Sequence, residues 1–204
     1  MSPRNQEQNE QIRDERREQI LSAALRAFAV RGFAATKVSD IIAASGISYG
    51  LVYHYFKSKE ELFYELVRRA LFYAEFSLAE VNKLPLSPPE KIQQIAKVIL
   101  GGIDTAKESS YYFLIVLHAS IMELSVEQRD SYLAGADAPF HILVSLLVQG
   151  QQEGSVKAGD PFEYALLFFS AILGLAVYKL GMPGFHMPDP ELLTSMFLVN
   201  SAPE

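Results

Sequence analysis

What most limits the folds open to this chain is its hydrophobic spacing, which is helical almost everywhere. Ile20, Leu21, Ala24, Leu25, Phe28 and Ala29 form one apolar stripe, and Gly32 supplies a stop. Val38, Ile41 and Ile42 repeat at i, i+3, i+4 behind Thr36, read as an N-cap, and Gly46 ends that segment. A third short helix runs from Ser48 to about Phe56. Ser58-Lys59-Glu60-Glu61 then forms a capping box that opens a long helix ending before Pro85. Ile92, Ile95, Ile99 and Ile103 mark the next helix, Tyr111 to Leu124 another, and Asp137 caps a helix reaching Gln152. Asp160-Pro161 and Asp189-Pro190 each set a capping acid before a proline at the first helical position. Alternating apolar patterns and Asn-Gly or Asp-Gly hairpin turns are nearly absent. The expectation is an all-α chain of about nine helices.

Composition narrows the function. With 204 residues and half of them hydrophobic, the chain can bury a sizeable core. It has no cysteine, which removes disulfides and thiolate metal sites. The polar start MSPRNQEQNEQIRDERRE has no apolar core of a signal peptide. Residues 165 to 182 form the most membrane-like run, interrupted by Lys179, and read as a buried or interface helix. A cytoplasmic protein with no membrane partner is expected. Residues 1 to 82 hold 11 Lys+Arg against 11 Asp+Glu, and residues 83 to 204 hold 7 against 13, so the net charge of −6 belongs to the second part. Acidity of the whole does not exclude nucleic acid, because the local field of one face decides.

Two short helices separated by Ser45-Gly46-Ile47 fit a helix-turn-helix, whose second helix enters the major groove. At about 100° per residue, Tyr49, Gly50, Tyr53 and His54 share one arc of that second helix. Leu51, Val52, Tyr55 and Phe56 take the other, apolar arc. Thr36, Ser48 and Lys59 stand at three helix starts, where backbone amides favour a polyanion. The N-terminal tail interleaves Arg4, Arg13, Arg16 and Arg17 with Glu7, Glu10, Asp14, Glu15 and Glu18, a mixed charge that fits a solvated extension of the first helix better than an arm following a groove.

Residues 20 to 66 resemble the DNA-binding domain of the TetR family of bacterial transcriptional regulators. The resemblance is carried by ILSAALRAFAVRGFAATKVSDIIAASGIS and YGLVYHYFKSKEEL, with Gly32-Phe33, Thr36, Ile41, Gly46-Ile47-Ser48, Gly50, Tyr53, Phe56 and Lys59 in order. It implies an N-terminal three-helix helix-turn-helix domain (residues 1 to 58 with its arm) and a larger helical ligand-binding and dimerisation domain (59 to 204). It also implies a two-fold dimer, a palindromic double-stranded DNA operator and a small-molecule effector. Carried over by position, Tyr49 and Gly50 approach base edges, while Thr36, Lys37, Ser48, Tyr53, His54 and Lys59 hold phosphates. Leu51, Tyr55 and Ile42 depart from residues that the family often carries there.

For the second domain the resemblance implies an apolar pocket, to which Phe113, Leu117, His118, Phe140, His141, Phe168 and Tyr178 are assigned among its many aromatics, which include Tyr132. Ser170, Gly174 and Val177 form a small-residue track, and Leu193, Met196 and Phe197 an apolar stripe, together the expected dimer interface. The alternatives are a DNA-binding regulator without an effector, and a helical enzyme using His118, Glu123 and His141. The enzyme lacks support from any HExxH, GxSxG or phosphate-loop motif, and no cofactor or metal is expected.

Overall fold

A computed structural model describes residues 3–123, 130 and 135–199. Leu124, Tyr132 and the side chains of Arg4 and Glu7 lie outside the described residues. Nine α-helices occur among the residues described: α1 (Pro3–Ala35), α2 (Val38–Ser45), α3 (Tyr49–Tyr55), α4 (Lys59–Asn82), α5 (Pro88–Thr105), α6 (Lys107–Ile121), α7 (Ala138–Gln152), α8 (Pro161–Gly181) and α9 (Pro190–Thr194). One isolated antiparallel bridge, Val156 to Leu198, is the only extended pairing among them. The expected class is the class observed.

The caps explain the boundaries. Gly46 takes φ 68°, the left-handed conformation that closes α2, and its N–H donates to Ile42 O. At the start of α4, Ser58 Oγ accepts from Glu61 N, and Glu61 reaches past the cap to accept from Lys57 N at 2.6 Å. Asp160 and Asp189 accept from Phe162 N and Glu191 N, as their position before proline predicts. Two starts differ from expectation. Lys37, not Thr36, occupies the N-cap position of α2. Helix α6 begins at Lys107, one turn ahead of its first aromatic. Asp137 precedes α7 without a side-chain capping bond and instead pairs with His141 at 3.1 Å.

Two apolar cores organise these helices. The first joins the stripe of α1 to Ile41, Ile47, Val52 and Phe56, and extends into Leu62, Phe63, Leu66 and Val67 of α4 and Ile115 and Ala119 of α6. The second collects Leu78 and Val81 of α4, the inner faces of α5, α7 and α8, and Phe197 and Leu198. Helix α4 therefore runs through both, so motion of one core relative to the other is felt along its length. Helix α6 packs on α1 at one side and α8 at the other.

Helix α8 buries Ala165, Phe168, Ile172 and Ala176, yet exposes Phe162, Leu166, Leu167, Val177 and Tyr178. It is long and apolar enough to cross a membrane by length and composition, with 22% of its apolar window buried. Phe162, Leu166, Ser170 and Val177 fall within about 80° of one another around the helix, an exposed stripe turned about 120° from the buried one, with Phe162 at its end against Phe140.

Candidate nucleic-acid interface

Helix α3 is held by its apolar arc. Val52 and Phe56 are 2% and 3% exposed in the first core, and Leu51 and Tyr55 pack against it. Burying that arc leaves the other outside: Tyr49 is 63% and Tyr53 37% exposed, with Gly50 and His54 beside them. The helical arithmetic and the packing agree on which face is presented. Tyr49 and Tyr53, one turn apart, stack with centroids 4.7 Å apart. Hydrogen bonding to Tyr49, ahead of all other causes, pushes the Tyr53 phenol above its ordinary range, so its hydroxyl keeps its proton near neutral pH. No Cβ clash surrounds Gly50, which leaves open space above its backbone.

Ser48 is exposed at the N-cap of α3, and its hydroxyl makes no capping bond. Lys37 is exposed at the start of α2. Lys57, between α3 and α4, is also exposed and its ammonium has no protein partner among the described residues. Sequence reasoning missed Lys57, although a cation immediately after the last turn of α3 is a readable signal.

Two expected contacts are corrected. Thr36 is buried, and its hydroxyl donates to Gly32 O at 2.7 Å and Ala27 O at 3.2 Å. It is therefore spent on closing α1, whose helical path breaks at Gly32 with φ 76°. Lys59 is half-buried: its Nζ lies 4.2 Å above the Phe33 ring and donates to Phe33 O at 3.0 Å and Thr36 O at 3.1 Å. The ammonium clamps the α1–α2 turn with two of its three N–H donors. Both side chains shape the reading surface from behind.

A second device fixes that surface. Arg69 on α4 forms a two-pronged pair with Glu18 on α1, both bonds 2.6 Å, and Arg17 donates to Glu65 at 2.7 Å. Bonding to Arg69 holds the Glu18 carboxyl below its usual range. Partial burial pushes Glu65 the other way, but its bonds to Arg17 and Arg68 outweigh it and the net direction is down. The Arg17 guanidinium also lies 5.4 Å from the Phe56 ring centroid, so the start of α4 and the end of α3 are tied to α1 together.

The residues assigned to a pocket do not converge on one cavity. Phe168 is fully buried in the second core, Phe140 stacks with Phe162 and Phe169, and Phe113 packs against the same core. His141 is exposed on α7 beside Asp137, and Tyr178 is exposed and stacked on Phe185. His118 faces α1, where its Nε2 lies 3.2 Å from Ala29 O. The pattern of aromatics could not distinguish a lining from packing. His118 and His141 thus sit in different surroundings, and no group of three or more His, Asp or Glu among the described residues could hold a metal. The dimer assignment also needs revision. Phe197 and Leu193 are buried within the second core, whereas Ser170, Val177 and Met196 are exposed. An apolar groove of about 310 Å3 between α8 and α9 is lined in part by Gly174, Tyr178, Leu192 and Met196.

Comparison with known proteins places this geometry. Residues 20–66 match the family described as bacterial regulatory proteins, tetR family. The HTH-type transcriptional repressor KstR2 of Mycolicibacterium smegmatis is 39% identical over 171 residues, 82% of each chain. Among solved structures, the MbdR regulator from Azoarcus sp. CIB shares the fold at 22% identity, TM-score 0.75, over 89% of this chain and 96% of that one. AibR, solved in complex with isovaleryl coenzyme A and operator DNA, shares it at 22% identity, TM-score 0.71, over 89% and 95%.

Proposed function

The chain belongs to the TetR family of bacterial regulatory proteins, and from that premise we propose a dimeric cytoplasmic repressor whose α3 reads a palindromic operator and whose C-terminal body releases it on binding a small effector. The observation that carries this reading is the outward arc of α3, two stacked tyrosines, a histidine and a bare glycine held up by a buried apolar arc. We assign Tyr49 and Gly50 to base edges and Ser48, Tyr53, His54, Lys37 and Lys57 to phosphates. The operator-binding unit spans residues 1 to 58 and the effector and dimer unit 59 to 204, although α4 shares its first turns with the operator-binding core.

The exposed stripe of α8, with Phe162, Leu166, Ser170 and Val177, is the surface offered to a second copy, and Met196 flanks it. Pairing sets two copies of α3 about 34 Å apart, the distance between successive major grooves. An effector that favours another spacing weakens operator binding by its differential affinity for the two states. Support for an effector comes from Ser110, whose Oγ is buried with no hydrogen-bond partner and which shares a face of α6 with Phe113 and Leu117. AibR, a protein of like fold, binds isovaleryl coenzyme A. We infer an amphipathic effector of largely apolar body. No catalytic role is assigned to His118, Glu123 or His141.

The test is titration of duplexes selected from a random palindromic pool. Tyr53→Phe, which deletes one phosphate donor, weakens all duplexes alike by about 1 kcal/mol. Tyr49→Ala instead changes the rank order of sequences. Parent-like binding by both variants at moderate salt would refute the assignment.

A further inference from the structure

Helix α1 ends in an unusual way. Its path breaks at Gly32, with φ 76° and ψ 167°, and carbonyls in the last turn before such a break lose their regular partners. Side chains bond carbonyls on both sides of the break. Thr36 Oγ1 donates to Ala27 O and Gly32 O, and Lys59 Nζ to Phe33 O and Thr36 O. Thr36 lies in the operator-binding unit, and Lys59 at the first residue of α4, on its boundary. The third comes from the other side of the molecule: His118 on α6 reaches Ala29 O with Nε2 at 3.2 Å. A carbonyl only accepts, so Nε2 is the donor in this contact.

The ring also fits the break itself. A Cβ built on Gly32 would stand 3.5 Å from His118 Cε1, so the imidazole lies at contact distance over the one residue whose backbone turns the chain. The hydrophobic part of the α1–α6 contact is centred on Ile115 and Ala119. Apolar packing is non-directional and tolerates sliding, whereas a hydrogen bond fixes an angle and a distance. Beyond the break, the same few residues lead into Lys37 at the start of α2 and hence to α3.

We propose that His118 is a positioning residue: by capping Ala29 at the Gly32 break, it fixes the orientation of the α2–α3 unit relative to the effector body. A shift of α6 is passed to the operator-binding surface through this bond. The inference rests on the dimeric operator-binding reading above but concerns how the two units are held, not whether DNA is bound.

The absence of cysteine makes the test direct, because one introduced thiol per chain carries one spin label. Ala43→Cys, on the exposed face of α2, reports the separation of the operator-binding units in the dimer. Lys97→Cys, exposed on α5, reports the separation of the bodies. In pulsed dipolar spectroscopy, His118→Leu is expected to widen and displace the Ala43 distance distribution while leaving that of Lys97 in place. His118→Gln, whose amide nitrogen can reach the position of Nε2, restores the parent distribution. Affinity for a selected duplex falls about tenfold in the leucine variant and recovers in the glutamine variant. If the leucine variant does not fold, His118→Asn, too short to reach Ala29, is read in the same way. Superimposable Ala43 distributions in parent and leucine variant, or a glutamine variant that fails to restore, would overturn the proposal. A Lys97 pair with no measurable distance would instead show that the chain does not pair, and would remove the dimeric reading together with this one.

Discussion

Replacing Lys59 by methionine preserves most of the side-chain length and its cover over Phe33 while deleting the ammonium. The charge donates to Phe33 O at 3.0 Å and Thr36 O at 3.1 Å, and sits 4.2 Å above the Phe33 ring. A hydrogen bond from a charged donor is worth about 1.5–3 kcal/mol, but this side chain is only half-buried and water reaches the freed carbonyls. Taking the lower value for one bond, and less for the second and for the ring, gives a loss of about 2–3 kcal/mol. For a chain of this size that corresponds to a melting point lower by about 4–12 °C, measured by circular dichroism. Operator titrations across a salt series supply the contrast. A lysine that neutralises one phosphate reduces the slope of log K against log salt by about one. The clamp instead predicts a lower melting temperature, weaker binding to every duplex and an unchanged slope. An unchanged melting temperature with the slope reduced by about one would refute the clamp and return Lys59 to the phosphate contacts.

Acid should loosen the operator-binding unit from α4. The carboxyls of Glu18 and Glu65 are held below their ordinary value of 4.5 by arginines, so their contribution is complete above that value and is lost as pH falls through the lowered one. Thermal melts between pH 6 and about 3 should show this decline, and Glu18→Gln should flatten it. Ser110→Ala removes a buried hydroxyl with no partner and is expected to raise stability by about 1 kcal/mol while weakening effector response. Denaturant unfolding with unchanged or lower stability would show that the hydroxyl is satisfied. Gly46→Ala forces a side chain into φ 68° with nothing within 4 Å to clash, so its cost of about 1 kcal/mol is purely backbone; Gly46→Asn should cost less.

The face of α3 was legible because periodicity alone separates Tyr49 and Tyr53 from Val52 and Phe56, and the core then fixes which side is buried. The acids before Pro161 and Pro190 were legible for a similar reason, since a cap acts on amides two residues away. Lys59 was misread, and the partner of His118 was not legible, because what each bonds lies far away in sequence, and local spacing carries no record of that. Thr36 is close in sequence to Gly32, yet only the break there turns its hydroxyl back onto α1. Phe168 and Phe197 show the same limit from another side: an aromatic at helical spacing looks alike whether it lines a cavity or meets another ring, as these two do at 6.2 Å.

The greasy outer stripe of α8 also says something about the life of the polypeptide before it regulates anything. Under the pairing proposed above, each newly made copy carries Leu166 and Val177 uncovered until it meets a second, and mass action ties the survival of that copy to how many others are present. Scarcity would then impair folding as well as occupancy of the operator. A cell lowering synthesis of this regulator would see its activity fall more steeply than its abundance.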